Sequence, residues 1–306
     1  MAIIEVENLS KSFGEVKAVN EISFTVSEGE IFGFLGPNGA GKSTTIRMLT
    51  GVLKPTSGIV KMFGKNFWEN TIPIKQLISS VSETANVYND LNGMYNLLLM
   101  AQLYGISKKD REERAVVLLK KFELYDKRNL KAKAYSKGMK QRLLICMALM
   151  SEPKILFLDE PTSGLDVQTS ILVRHLIKEY NQKRMTIFLT THNMDVANEL
   201  CDRIAIINNG KIVSLNAPEK LKKLFQENHK IEFSFNRDVS AEEIKNVSST
   251  KEVEKTKEGW SLIVNDVNKS LVEIVEFAKL RKLEITRIAT PEPSLEEIFL
   301  KIINGR

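Results

Sequence analysis

Cysteine is scarce in this chain of 306 residues: there are two, Cys146 and Cys201, far apart and in no CxxC pair. That excludes a disulfide framework and a cysteine-based metal site, and it fits a reduced cytosolic protein. Membrane-length apolar runs are missing too. The apolar stretch Leu143 to Met150 is far shorter than the roughly 20 residues that a bilayer-spanning helix needs. The opening MAIIEVENLSKSF has an early Glu5 and no long apolar stretch, so no signal peptide is expected. Work at a membrane would then pass through a partner. A strong charge bias is absent as well. The formal net charge of +6 is mild for this length. It suits an acidic ligand, a nucleic acid or an anionic membrane face without choosing among them. What is present is a hydrophobic fraction of 43%, ordinary for a globular protein, in a chain long enough for two domains.

Residues 2–6, 22–26 and 31–35 read as short strands. The last, IFGFL, is continuously apolar, as a strand buried on both faces should be. It runs into a Gly-rich turn and a helical segment that starts near Gly41, with Gly51, Pro55 and Gly58 marking that helix's end and the loop beyond it. Residues 91–147 lack strand alternation and read as a helical lobe, dense in Lys and Arg from Lys108 to Arg142. ILFLD at 155–159, TIFLT at 186–190 and RIAII at 203–207 return to buried strands with helices between them. This alternation predicts an α/β fold with a mostly parallel sheet covered on both faces. The first domain is expected over 1–216, a helical linker over 217–229, and a second domain over 230–306. In the second, strands at 230–235, 250–256, 260–264 and 284–289 and helices at 240–246 and 267–281 give the order β-α-β-β-α-β, a ferredoxin-like α+β pattern. A last helix at 294–303 has Ser294 and Glu297 at capping-box spacing.

Gly36-Pro37-Asn38-Gly39-Ala40-Gly41-Lys42-Ser43 fits G-x-x-x-x-G-K-[ST] at every fixed position. Such glycines let backbone N–H groups curl around phosphate oxygens, and the helix that follows directs its positive end to the same place. Lys42 is expected to reach the β- and γ-phosphates and Ser43 to bind Mg²⁺, with Thr44 completing the nucleotide contacts. ILFLDE at 155–160 supplies the other half of such a site. Asp159 ends a buried strand and can hold Mg²⁺ through its water shell, and Glu160 is placed to polarise an attacking water as general base.

Tyr135-Ser136-Lys137-Gly138-Met139-Lys140-Gln141 precedes the apolar helix RLLICMALM. This stretch resembles the signature motif of ABC ATPases, in the YSKGMKQRL form of bacterial exporter subunits, with Lys137 where the family usually has Gly. The resemblance covers residues 1 to about 216. It implies head-to-tail dimers, of identical or similar subunits, in which ATP lies between one subunit's phosphate loop and the other's signature motif. Ser136 and the Gly138 amide would then meet the partner's γ-phosphate. Ser163-Gly164-Leu165-Asp166 resembles the D-loop, which places Asp166 at the nucleotide interface, and His192 in LTTHNMD resembles the switch histidine. Phe13 stands where the family places an adenine-stacking aromatic, although a residue near a strand end also fits a core position. Through VSETANVYNDL, Glu83 falls where the family's Q-loop carries Gln. A carboxylate can also ligate Mg²⁺ there, while adding negative charge beside the phosphates.

The resemblance implies an ATPase subunit, with ATP and Mg²⁺, that powers export through separate integral membrane permease subunits, at the cytoplasmic face of the membrane and without nucleic acid. The ending Pro291-Glu292-Pro293-Ser294-Leu295-Glu296-Glu297-Ile298-Phe299-Leu300 resembles the tail of many bacterial drug, antibiotic-resistance or sodium-export ATPase subunits. A soluble ABC ATPase acting on ribosomes or DNA is the rival reading. Relatives of that kind usually carry two ATPase cores or a long coiled-coil insert, and this chain has neither. A ligand-sensing or dimer-forming role for the C-terminal domain is compatible with the first reading.

Overall fold

The apolar runs singled out above are the middle of one sheet. The structure, a computed structural model, describes residues 1–83, 86–224, 229–245, 252–291 and 294–304. Expectations that fall on 225–228, 246, 250–251 and 292–293, and on Thr84 and Ala85 of the Q-loop stretch, lie outside the described residues. The chain divides into two units, Met1–Pro218 and Glu219–Arg306, so the break falls two residues past the expected end of the first domain.

In the first unit the elements run β1 (Ala2–Phe13), β2 (Val16–Ser27), β3 (Ile31–Leu35), α1 (Lys42–Leu49), β4 (Ser57–Met62), β5 (Lys65–Asn66), α2 (Thr71–Lys75), β6 (Ile78–Val81), α3 (Gly93–Leu103), α4 (Lys108–Lys121), α5 (Lys137–Leu149), β7 (Ile155–Asp159), α6 (Val167–Gln182), β8 (Thr186–Thr191), α7 (Met194–Leu200), β9 (Arg203–Asn208) and β10 (Lys211–Asn216). The central sheet has the order β10-β9-β3-β8-β7-β6. Five strands are parallel and β10 returns antiparallel on β9. β3 and β7 are buried at every position, as continuous apolar runs should be. The register sets Leu35 beside Thr191 and Asp159 beside Thr190. The loops that carry the phosphate-loop glycines, Glu160 and His192 therefore leave the sheet side by side.

The strands expected at 2–6 and 22–26 are longer than their sequence pattern suggested, at twelve residues each. They join β4 and β5 in a separate antiparallel sheet, order β2-β1-β4-β5, which the sequence reading did not anticipate. The pairing of β1 with β2 shifts register between Val6 and Leu9 and again near Lys11, and Asn8 and Glu21 have positive φ. Each bulge resets the two-residue alternation, so the apolar face is broken in sequence while continuous in space. Phe24 of β2 packs on Phe32 and Phe34 of β3 and on Phe188 of β8, with ring centroids 5.4, 5.7 and 6.1 Å away. These rings fill the core between the sheets.

The helical lobe α3–α5 is the crossover from β6 to β7. It closes on buried Leu97, Ala101, Leu119, Phe122, Leu143 and Cys146. Part of its basic charge is engaged within the chain: Lys121 pairs with Glu179, Arg114 with Glu152 at 3.2 Å and Arg142 with Glu123 at 3.4 Å.

α8 (Pro218–Leu224) spans the break between the units, so the start of the expected linker is helix. The second unit continues with β11 (His229–Phe235), α9 (Ala241–Lys245), β12 (Glu252–Thr256), β13 (Gly259–Val264), α10 (Val267–Leu280), β14 (Ile285–Ala289) and α11 (Leu295–Asn304). Its sheet is antiparallel, order β12-β13-β11-β14, the arrangement of a ferredoxin-like β-α-β-β-α-β unit. Ile231, Phe233, Trp260, Leu262 and Ile274 form its core. α11 opens with a reciprocal capping box: the Ser294 amide donates to Glu297 at 3.2 Å, and the Glu297 amide to Ser294 Oγ at 3.1 Å.

Candidate nucleotide site

β3 ends at Leu35 and α1 begins at Lys42, and the loop between them folds back over the Lys42 side chain. Gly41 makes this turn at φ 110°, a left-handed conformation in which a Cβ would be strained. The Lys42 ammonium donates to the carbonyls of Gly36 and Pro37 at 2.7 and 3.2 Å. The Gly210 amide donates to the Ala40 carbonyl at 3.0 Å and ties the loop to the β9–β10 turn. Lys42 is buried, with 7% of its surface exposed. Burial lowers its pKa below the ordinary lysine value, against the opposing pull of Glu160, Asp159 and Glu83. A desolvated cation in a loop of backbone N–H groups is a receptor for an anion.

Two carboxylates face it from the end of β7. Asp159 ends β7 almost fully buried and accepts a hydrogen bond from the Thr190 hydroxyl on β8. The Glu160 amide donates to the Thr190 carbonyl at 3.1 Å and to its hydroxyl at 3.3 Å. Glu160 itself takes φ 52°, a left-handed turn that swings its side chain off the strand and into the cleft. Its Oε1 lies 2.9 Å from His192 Nδ1 and 3.9 Å from Lys42 Nζ. Thr190 went unremarked in the sequence reading. The signal for it was a hydroxyl at the end of an otherwise apolar strand, beside the strand that ends in Asp159.

The cleft has a volume of about 430 Å³, and Asn38, Lys42, Ser43, Thr44, Glu83 and Glu160 are among its lining. Glu83 is exposed at its rim. Ser43 and Asp159 are both oxygen donors, and the second Asp159 oxygen has no hydrogen-bond partner among the described residues. That donor set suits a hard cation such as Mg²⁺. Among the described residues no group of three or more His, Cys, Asp or Glu side chains converges as a protein-only metal site, so much of the coordination would come from phosphate and water. Phe13 ends β1, is 52% exposed and has Lys11 Nζ 5.4 Å above its ring, so it is not a core residue. Its cross-strand partner Val16 lies two residues before Ala18, which lines the cleft.

Ser136, Gly138 and Asp166 do not line this cleft. They form a second grouping. Ser136 caps α5, accepting from the Met139 amide at 3.2 Å. Asp166 caps α6, accepting from the Thr169 amide and hydroxyl, both at 2.8 Å, and these bonds hold its carboxyl below the usual range. Gly138 lies against Thr169: a Cβ on it would stand 3.0 Å from the Thr169 hydroxyl.

Comparison with known proteins gives this arrangement a family. Residues 19–163 match the family described as ABC transporter, and residues 217–303 match the C-terminal domain of DrrA1-3-like ATP-binding proteins. The chain is 34% identical to the bacitracin transport ATP-binding protein BcrA of Bacillus licheniformis, over 99% of this chain and 98% of that protein. It is 33% identical to the daunorubicin/doxorubicin resistance ATP-binding protein DrrA of Streptomyces peucetius, over 98% of this chain and 92% of that one. A solved dimeric ATP-binding cassette in a post-hydrolysis state, bound to ADP and Pi, superposes with a TM-score of 0.65 at 28% identity, covering 70% of this chain and 98% of its own. The chain belongs to the ATP-hydrolysing subunits of ABC transporters, in the form that joins the ATPase unit to a DrrA-like C-terminal domain.

Proposed function

We propose that this chain hydrolyses ATP with the residues of the Lys42–Glu160–His192 cleft and passes the resulting motion to a separate membrane permease that exports its substrate. The observation that carries this reading is the convergence of Glu160 on both Lys42 and His192 at the ends of three neighbouring strands.

In this reading the loop from Gly36 to Thr44 wraps the phosphates, and Lys42 shifts its ammonium from the Gly36 and Pro37 carbonyls to the β- and γ-phosphates. Glu160 accepts a proton from the attacking water, and His192 holds the Glu160 carboxylate in line and faces the γ-phosphate. Ser43 and Asp159, with Glu83 at the rim, would hold a Mg²⁺ ion, which would supply charge neutralisation on the phosphates. Thr190 fixes the Asp159 carboxylate. Phe13 offers its exposed face to adenine.

Ser136, Gly138 and Asp166 stand apart from the cleft of their own chain, which supports a dimer in which they complete the cleft of a second copy. Exposed Tyr88, Tyr95 and Leu103, on α3 and just before it, offer an apolar surface for the permease. No helix among the described residues is long and apolar enough to cross a membrane, so the permease is a separate chain in this reading, with the ATPase held at the cytoplasmic face. The relatives' names concern bacitracin transport and daunorubicin/doxorubicin resistance, and near-full-length similarity to them supports export over action on ribosomes or DNA.

The test of the dimer is sedimentation of the Glu160→Gln protein with and without ATP and Mg²⁺. A shift from monomer to dimer at saturating ATP is expected. A protein that stays monomeric at high concentration with the permease present would overturn the shared site.

A further inference from the structure

The signature-like segment at the start of α5 and the stretch from Ser163 into the first turn of α6 touch within one chain at two points, each at a glycine. One is the contact of Gly138 with Thr169, whose hydroxyl is held by Asp166. The other involves Lys137, the residue that stands where the family usually has Gly. Its side chain crosses to Gly164, and its Nζ occupies the place that a Cβ on residue 164 would need, with Cε 3.3 Å from that place. Gly164 has φ 65°, a backbone conformation that favours glycine, and the missing Cβ leaves room for the Lys137 ammonium. Lys137 makes no hydrogen bond or ion pair with any described residue, and Asp166, the carboxylate of the same segment, is directed instead to Thr169. Lys137 is exposed, and it is the Nζ and Cε end of its side chain that lies over the glycine.

We infer that Lys137 is a positioning residue for hydrolysis: laid across Gly164, it fastens segment 163–166 to the start of α5, so that both are presented as one edge to the nucleoside triphosphate held by a second copy of the chain. This rests on the dimer reading above. Ser163 is the link to the chain's own site. It lines the Lys42–Glu160 cleft and also a neighbouring cavity with Gly164, Arg174 and Asp195, so the segment borders the chain's own site while facing the second copy. Without the Lys137 side chain, segment 163–166 loses this contact with α5 and keeps those through Thr169 and between Asp166 and Arg142. The start of α5 and the segment are then less firmly joined when they reach the second copy's nucleotide, which lowers turnover and leaves each chain's own hold on ATP intact.

The test is a double-mutant cycle on the full chain with Lys137→Ala and Gly164→Ala, read by phosphate release, by fluorescent ATP-analogue binding and by thermal unfolding without nucleotide. The expected result is that Lys137→Ala lowers kcat about tenfold with unchanged analogue affinity and unchanged Tm, and that Lys137→Arg restores most of it. Gly164→Ala, which displaces the ammonium, should lower kcat at least as much, and the double variant no further, because the two residues act through one contact. Fold losses that multiply in the double variant, or a Lys137→Ala protein with parental kcat, would overturn the role of Lys137 while leaving the ATPase reading in place. A parent chain that binds no analogue and releases no phosphate would overturn that reading, and this inference with it.

Discussion

Glu160 and His192 meet side chain to side chain, Oε1 to Nδ1 at 2.9 Å, across the ends of the adjacent parallel strands β7 and β8. The same oxygen is the carboxylate atom nearest Lys42. Glu160→Gln keeps the size of the side chain and removes its basicity. It should lower kcat by about 10²–10⁴-fold while ATP still binds. Phosphate release together with equilibrium nucleotide binding checks this, and parental turnover would remove Glu160 from the role of base.

Lys42→Met should abolish the stabilisation of the fold by ATP. Ligand at a hundredfold excess over Kd adds about 2.7 kcal/mol to a protein that binds it only when folded. The parent should gain on that order in thermal unfolding and the variant nothing. Lysine burial also sets a pH signature for the nucleotide-free protein. The folded pKa lies below the ordinary 10.5, so the unfolded chain holds the proton more tightly. The cost of the buried charge is full below the folded pKa and is relieved as pH rises from there to 10.5. The parent's stability relative to Lys42→Met should therefore improve across that window. A pH-independent difference in unfolding free energy would contradict it.

Thr190 is fully buried, and its hydroxyl serves both the Asp159 carboxylate and the Glu160 amide. Thr190→Val keeps the shape and leaves Asp159 without this donor. A hydrogen bond to a charged group is worth about 2 kcal/mol, so urea unfolding should show a loss of that order, accompanied by reduced turnover. Thr190→Ser, which retains the hydroxyl, should recover most of the turnover.

Burial pushes the thiols of Cys146 and Cys201 well above their ordinary range. The thiolate is the reactive form, so both should resist a thiol reagent in the native protein and react together on unfolding. A thiol that titrates rapidly under native conditions would contradict the packing of Cys146 against α4 or of Cys201 beside Gly33.

The residues most readable in the sequence are those whose chemistry has one local solution. The phosphate-loop glycines, the Asp-Glu pair after an apolar strand and the Ser294–Glu297 box all act over a few positions of chain. The β1–β2–β4 sheet was not readable as a whole, because its bulges interrupt the alternation and because SGIVKM of β4 follows directly on a Pro/Gly-rich loop. β6, at four residues, is too short for a pattern and exists by pairing with β7. Sequence leaves Phe13 between two readings, and its exposure, a property of the folded surface, removes the core one. Thr190 and the reach of Lys137 to Gly164 depend on which segments the fold brings together, and no window of sequence contains both partners.

The helical lobe enters the sheet from β6 and returns to it at β7, the parallel neighbour of β6. The sheet asks of the lobe only that its ends lie about one strand length apart, roughly 15 Å at ~3.3 Å per residue. The outer helices α3 and α4 can therefore change in sequence while the register of Asp159 with Thr190 stays unaltered. The start of α5 lacks that freedom, because Lys137 and Gly138 meet Gly164 and Thr169. The lobe thus joins a surface open to divergence to one that the neighbouring segment holds in place.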